Sequence, residues 1–131
     1  MSGNEASAIG SLRAVNSAQV SYSASCGQGG YATSLTILGA ACGGGTAGYI
    51  SPDLVGANPV GKSGYNISLT ATGATGPKDG NNTDTTTDYN ATALPQTTGT
   101  TGQRGFFTDA SASIRFSTDG SDPGSSGTPL Q

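Results

Sequence analysis

The chain contains no histidine, which removes the commonest general base and the commonest side-chain metal ligand at neutral pH. A serine or cysteine nucleophile therefore lacks its usual activating partner, and the acidic residues show no paired spacing that singles out a general acid and a base. A non-catalytic chain without a cofactor is expected. Tryptophan is also missing, aromatic residues make up 6% and hydrophobic residues 33%, so the 131 residues can fill one thin core in one domain, 1–131. Charged residues are only 10%, against about a quarter in an ordinary soluble domain. The surface must then be covered by Thr, Ser, Asn and Gly, which suits a secreted or surface-exposed protein. The net charge of -3 and the scattering of five basic residues exclude nucleic acid as the main partner. No apolar run approaches the ~20 residues needed to cross a bilayer, and no signal-peptide core is visible.

Cysteine occurs twice, at Cys26 and Cys42. A disulfide between them is the economical reading, with two free buried thiols as the alternative. A bridge closing that loop contributes about 3 kcal/mol on the chain-entropy argument. It also implies folding in an oxidising compartment.

Against this sparse background one stretch, Asn4 to Cys26, carries a helical period. Ala8, Leu12, Val15, Gln19 and Tyr22 fall on one stripe, Ile9 and Val20 lie on its shoulder, and Glu5, Arg13, Asn16 and Ser17 lie elsewhere. Ser2 and Glu5 fit a capping box at its start. The breaker cluster from Cys26 to Gly30 ends it. Residues 27–63 read as a long connection tethered by the disulfide, in which Tyr31 to Leu38 can form a short helix or turn with Leu35 and Leu38 packed on the core.

Alternation then takes over. Gly64 to Thr72 is a strand with Tyr65, Ile67, Leu69 and Ala71 on one face, and Asp88 to Leu94 is a second with Tyr89, Ala91 and Ala93 inward. Between them, residues 74–87 are polar and read as an exposed loop. Gln103 to Thr108 and Ser113 to Thr118 make a hairpin through Asp109–Ala112, with Phe106, Ile114 and Phe116 inward. Residues 119–131 have the composition of a mobile terminus or loosely laid cover. Helix followed by strands predicts an α+β fold, one amphipathic helix on a three- to four-stranded antiparallel sheet spanning 64–118.

In this order the residues resemble a known family. NEASAIGSLRAVNSAQVSYSASC and the glycine-rich run after it look like the exposed half of the long N-terminal helix of a type IV pilin or type II secretion pseudopilin. KSGYNISL resembles the first sheet strand of such a head, and RGFFTDASASIRFSTDG resembles its closing hairpin. The resemblance implies a structural subunit of an extracellular type IV pilus-like filament. Its partners would be other pilin subunits or a short partner pilin, and it would wait on the periplasmic side of the inner membrane before assembly. The runner-up is a pseudopilin of a secretion machine, and from another class a secreted non-catalytic binding module. Family members begin with a hydrophobic half-helix carrying a cleavage motif and a glutamate, which this sequence does not show. The expectation is a head cut from a longer subunit or one made separately, meeting the membrane only through a helix not present in the sequence. The C-terminal region, which many major pilins close with a disulfide, is expected to be held by packing alone.

Other candidate sites carry less. Gly56 to Ser63 matches the phosphate-loop pattern, but Pro59 inside it and a strand after it argue against nucleotide binding. Asp79, Asn81, Thr83, Asp84 and Asp88 are oxygen-rich, and the resemblance to calcium-holding pseudopilins makes Asp79, Asp84 and Asp88 weak calcium candidates. Their spacing lacks the glycine and distal glutamate of an EF-hand, and a solvated loop is the preferred reading. The sequons at Asn66, Asn81 and Asn90 arise readily by chance in a chain this rich in Asn, Ser and Thr. The aromatic residues suggest an electron path, against which their inward positions favour core packing.

Overall fold

The computed structural model describes residues 2–42, 48–55 and 59–130. Its architecture is α+β: one long N-terminal helix lies on an antiparallel sheet of six strands. Helix α1 spans Ser2–Ala24, a short helix α2 spans Leu35–Leu38, and a single 3-10 turn covers Pro52–Leu54. The strands are β1 (Val60–Lys62), β2 (Tyr65–Ala71), β3 (Tyr89–Pro95), β4 (Gly105–Asp109), β5 (Ile114–Ser117) and β6 (Thr128–Pro129). They pair in chain order, each antiparallel to the next.

Two of the six strands were not expected. Val60–Lys62 is too short to show alternation, and it becomes a strand because Ser63 and Gly64 turn the chain back. Both sit at positive φ, 52° and 79°, the geometry of a two-residue hairpin that matches strand twist. At the other edge, Thr128–Pro129 pairs with Arg115 and Phe116, and the Leu130 amide donates to the Ile114 carbonyl at 2.7 Å. The C-terminal region is thus held by backbone hydrogen bonds as well as packing. Proline at this edge removes a donor where none is needed. Before β6 the chain passes close to β4: a Cβ at Gly105 would fall 2.2 Å from the Ser121 carbonyl oxygen, so glycine makes room for the approach.

The inner face of the sheet shows why α1 sits where it does. Along one rung run Ile67, Ala93, Phe106 and Phe116, and along the next Leu69, Ala91, Thr108 and Ile114. The two alanines of β3 lie between bulkier neighbours and leave a trough, and α1 lies over β3 with β2 and β4 on either side. From above, Ala8, Leu12, Val15 and Tyr22 fill it, each 1% exposed or less. Ala71, expected inward, is exposed, because it lies at the end of β2.

Residues 27–63 carry more structure than a connection. Ser34 caps α2 by accepting from the Ile37 amide at 3.2 Å, and Leu35 and Leu38 are fully buried. Cys26 and Cys42 form a disulfide with their Cα atoms 5.9 Å apart, which ties the end of α1 to the chain beyond α2. Of the phosphate-loop-like run, residues 56–58 lie outside the described residues; Val60–Lys62 forms β1 and is followed by the turn into β2.

Candidate functional site

The chemistry-bearing side chains gather along α1, where a seam of polar contacts runs through the helix–sheet interface. At the first turns, the Glu5 carboxylate accepts from the amides of Gln103 (3.0 Å) and Arg104 (2.9 Å) and from Arg104 Nε at 3.2 Å. Glu5 therefore holds the loop before β4, through donors that bring charge as well as direction. The side chain of Ser2, the other half of the expected capping box, lies outside the described residues. The same guanidinium lies 5.1 Å from the Phe106 ring centre and 5.3 Å from that of Phe116, so its charge also rests on aromatic faces. Asn4 Nδ2 donates to the Thr101 carbonyl at 2.9 Å beside it.

Halfway along, Asn16 is buried, although the helical pattern set it off the apolar stripe. Its Nδ2 donates to Thr108 Oγ1 at 2.9 Å and its Oδ1 accepts from Tyr89 Oη at 2.7 Å, so both ends of the amide are satisfied. One turn on, Gln19 is fully buried and exchanges two hydrogen bonds with the Ala32 backbone, at 3.0 and 2.8 Å. It stands in for a strand neighbour that the segment after α1 would otherwise lack. Ser11 is the exception: its hydroxyl is buried with no hydrogen-bond partner among the described residues.

At the helix end, Tyr22 Oη donates to Asp79 Oδ2 at 2.6 Å. Asp79 is 5% exposed, and its other oxygen accepts from the amides of Asn81 and Thr83, both at 2.8 Å. The Gly80 amide donates to the Cys26 carbonyl at 2.8 Å, and Asn81 Nδ2 donates to the Ala41 carbonyl at 3.0 Å. Residues 74–87 are thus folded onto the end of α1 in their middle rather than exposed throughout. Thr85 and Thr86 are buried because their hydroxyls donate to the Pro77 and Asp88 carbonyls at 2.5 and 2.7 Å. Tyr31 and Thr86 pair backbone to backbone, and the Tyr31 and Tyr89 rings meet edge to face at 5.0 Å.

These contacts shift several titrations. Burial acts to raise the Asp79 carboxyl, but hydrogen bonds from Tyr22, Thr83 and Asn81, aided by the Lys78 charge, leave it below its ordinary value. Glu5 follows the same logic: burial opposes its charge, and the Arg104 and Gln103 amides with the Arg104 side chain hold it low. Burial raises Tyr22, and Asp79 raises it further. Tyr65 is pushed up to about 12, by burial first and then by the Glu5 charge, while burial raises Tyr89.

The three aspartates weighed as calcium ligands each make a contact of their own. Asp79 is taken by the clasp on Tyr22, Asp84 pairs with Lys78 at 2.6 Å, and Asp88 Oδ1 accepts from the Tyr89 amide at 2.8 Å. Among the described residues no group of three His, Cys, Asp or Glu side chains is placed to hold a metal ion. The aromatic contacts are local: Tyr22 meets Tyr49, Tyr31 meets Tyr89 and Tyr65 meets Phe106, all in or against the core.

The opposite face of α1 is exposed from Gly3 to Ala24. Ala6, Gly10, Ala14, Ser17 and Ser21 lie there, with Arg13 beside them and Val20 at 65% exposure. Val20 is the one large hydrophobic side chain that stands out of the surface among the described residues. Next to this face, Ala14, Ser17, Ala18 and Ser21 form one wall of an open groove, with Tyr49 and Ile50 opposite.

No helix among the described residues is long and apolar enough to cross a membrane. Comparison with known proteins returned no matching family model, no matching curated protein and no matching solved structure.

Proposed function

We propose that this chain is the head of a structural subunit of an extracellular filament of the type IV pilus kind. The observation that carries this reading is the two-sided use of α1. One face is secured to the sheet by apolar packing and polar clasps, and the other stays open from Gly3 to Ala24 with small side chains and an exposed valine. Burying Val20 against a neighbouring subunit would remove from water the one large apolar side chain that stands exposed among the described residues. The disulfide fits a life outside reducing compartments. The head's partners are further copies of the subunit or a short partner pilin, and its place is the cell surface.

Electron microscopy of surface filaments from the source cell, with mass spectrometry of the purified subunit, tests the proposal. The polypeptide is expected in the filaments. A second arm replaces Val20 with Glu, which is expected to leave the folded chain within about 0.5 kcal/mol of the parent while abolishing filaments. Filaments that lack this polypeptide overturn the reading.

A further inference from the structure

Helix α1 meets the sheet through two kinds of contact that respond differently to sliding along the helix axis. The apolar stripe repeats every three to four residues, at Ala8, Leu12 and Val15. A displacement of one turn toward the N-terminus, about 5.4 Å, brings Leu12, Val15 and Ala18 to the neighbourhood of the seats that Ala8, Leu12 and Val15 vacate. Apolar burial has no direction, so the stripe by itself resists such a slide weakly. Polar contacts behave otherwise. Glu5, Asn16 and Gln19 each meet partners fixed at single positions, at distances of 2.7 to 3.2 Å. A shift of one turn leaves all three buried or half-buried without those partners.

We infer that Glu5, Asn16 and Gln19 form an axial lock, which sets the register of α1 on the sheet and resists force applied along the helix. Their spacing suits the task, because fourteen residues separate the first from the last, about 21 Å of helix. The grip is therefore distributed along the element. Its partners lie on different parts of the fold: Arg104 in the loop just before β4, Tyr89 and Thr108 in β3 and β4, and Ala32 beyond the helix end. A buried polar group that fixes register at little gain in stability is the best-attested use of such groups. The meaning of the lock rests on the filament reading, in which tension enters the head along α1; the lock itself is a property of the isolated chain.

Single-molecule pulling on the intact, disulfide-bonded chain tests it. Clickable side chains at positions 3 and 70, both exposed, load α1 in shear along the strands; the same chemistry at positions 17 and 70 peels it off the sheet. The variant Asn16→Leu with Tyr89→Phe and Thr108→Val replaces one whole cluster by apolar groups of similar shape, so the helix side of the cluster keeps no orphaned partner. The ratio of shear to peel rupture force is expected to fall about twofold in this variant, with little change in thermal midpoint. An unchanged ratio overturns the inference. Should the triple variant fail to fold, Glu5→Gln decides the matter: it keeps one acceptor and loses the ion pair, and a lower ratio supports the lock while an unchanged one overturns it. Absence of the polypeptide from filaments would remove the filament reading and leave this ratio as it is.

Discussion

Among the described residues, buried polar side chains divide into those that satisfy a neighbour and one, Ser11, that does not. Asp79 serves three donors at once, from Tyr22, Asn81 and Thr83. Replacing it with Ala removes the acceptor of the buried Tyr22 hydroxyl and of the part-buried Asn81 and Thr83 amides, and a loss of about 2 kcal/mol is expected in urea unfolding. A loss under 1 kcal/mol would mean that the turn does not depend on the carboxylate. Ser11 is the reverse case, with a hydroxyl taken from water and given nothing in return. Ser11→Ala removes the unmet group and favours the helix, so a gain of about 1 kcal/mol is expected by the same measurement. Destabilisation would show that the hydroxyl has a partner after all.

Among the elements, α1 is held at its C-terminal end by a covalent tie as well as by the Asp79 turn. The disulfide encloses the segment that carries α2, and Gly80 packs so tightly on it that a Cβ there would fall 2.7 Å from Cys42 Sγ. Loss of the bridge in the double variant Cys26→Ser, Cys42→Ser is expected to cost about 3 kcal/mol. Hydrogen exchange should then quicken in residues 27–42 and 76–84 before it does in β2, β3 and β4, because local opening starts where covalent restraint is lost. Uniform acceleration across the sheet would contradict this picture. The sheet edges are the other elements with a visible design: both edge strands are short, and one ends in proline, which limits pairing with foreign strands.

At the scale of the whole molecule, stability should form a plateau in pH with a slope at each side. Asp79 and Glu5 have lowered folded values, so they stabilise the fold above the ordinary carboxyl range, and that contribution is lost as pH falls through their folded values. Tyr22, Tyr65 and Tyr89 have raised folded values, so their contribution is complete below the ordinary tyrosine range and is lost as pH rises towards them. No histidine titrates between. Thermal midpoints should therefore be nearly flat from about pH 5 to pH 9, fall below about pH 4 and fall again above about pH 10. A slope centred near pH 6.5 would mean that a group outside these two sets controls stability.

Much of the fold was legible in local pattern. The stripe of α1, the alternation of β2 and β3, the β4–β5 hairpin and the pairing of the only two cysteines each depend on neighbours in sequence, whose periodicity or number is visible without coordinates. The short edge strands were not legible, since two or three residues carry no period and become strands only when a partner offers its backbone. Asn16 and the threonines of the 74–87 segment misled for a related reason. Polarity marks a residue for the surface unless a distant group satisfies it, and Thr108 and Tyr89, more than seventy residues away, do so for Asn16. The sequence by itself determined which segments bury apolar surface and where the covalent tie falls. Only the tertiary structure decided the register of the helix on its sheet, because a repeating apolar stripe permits several seats and specific polar partners permit one.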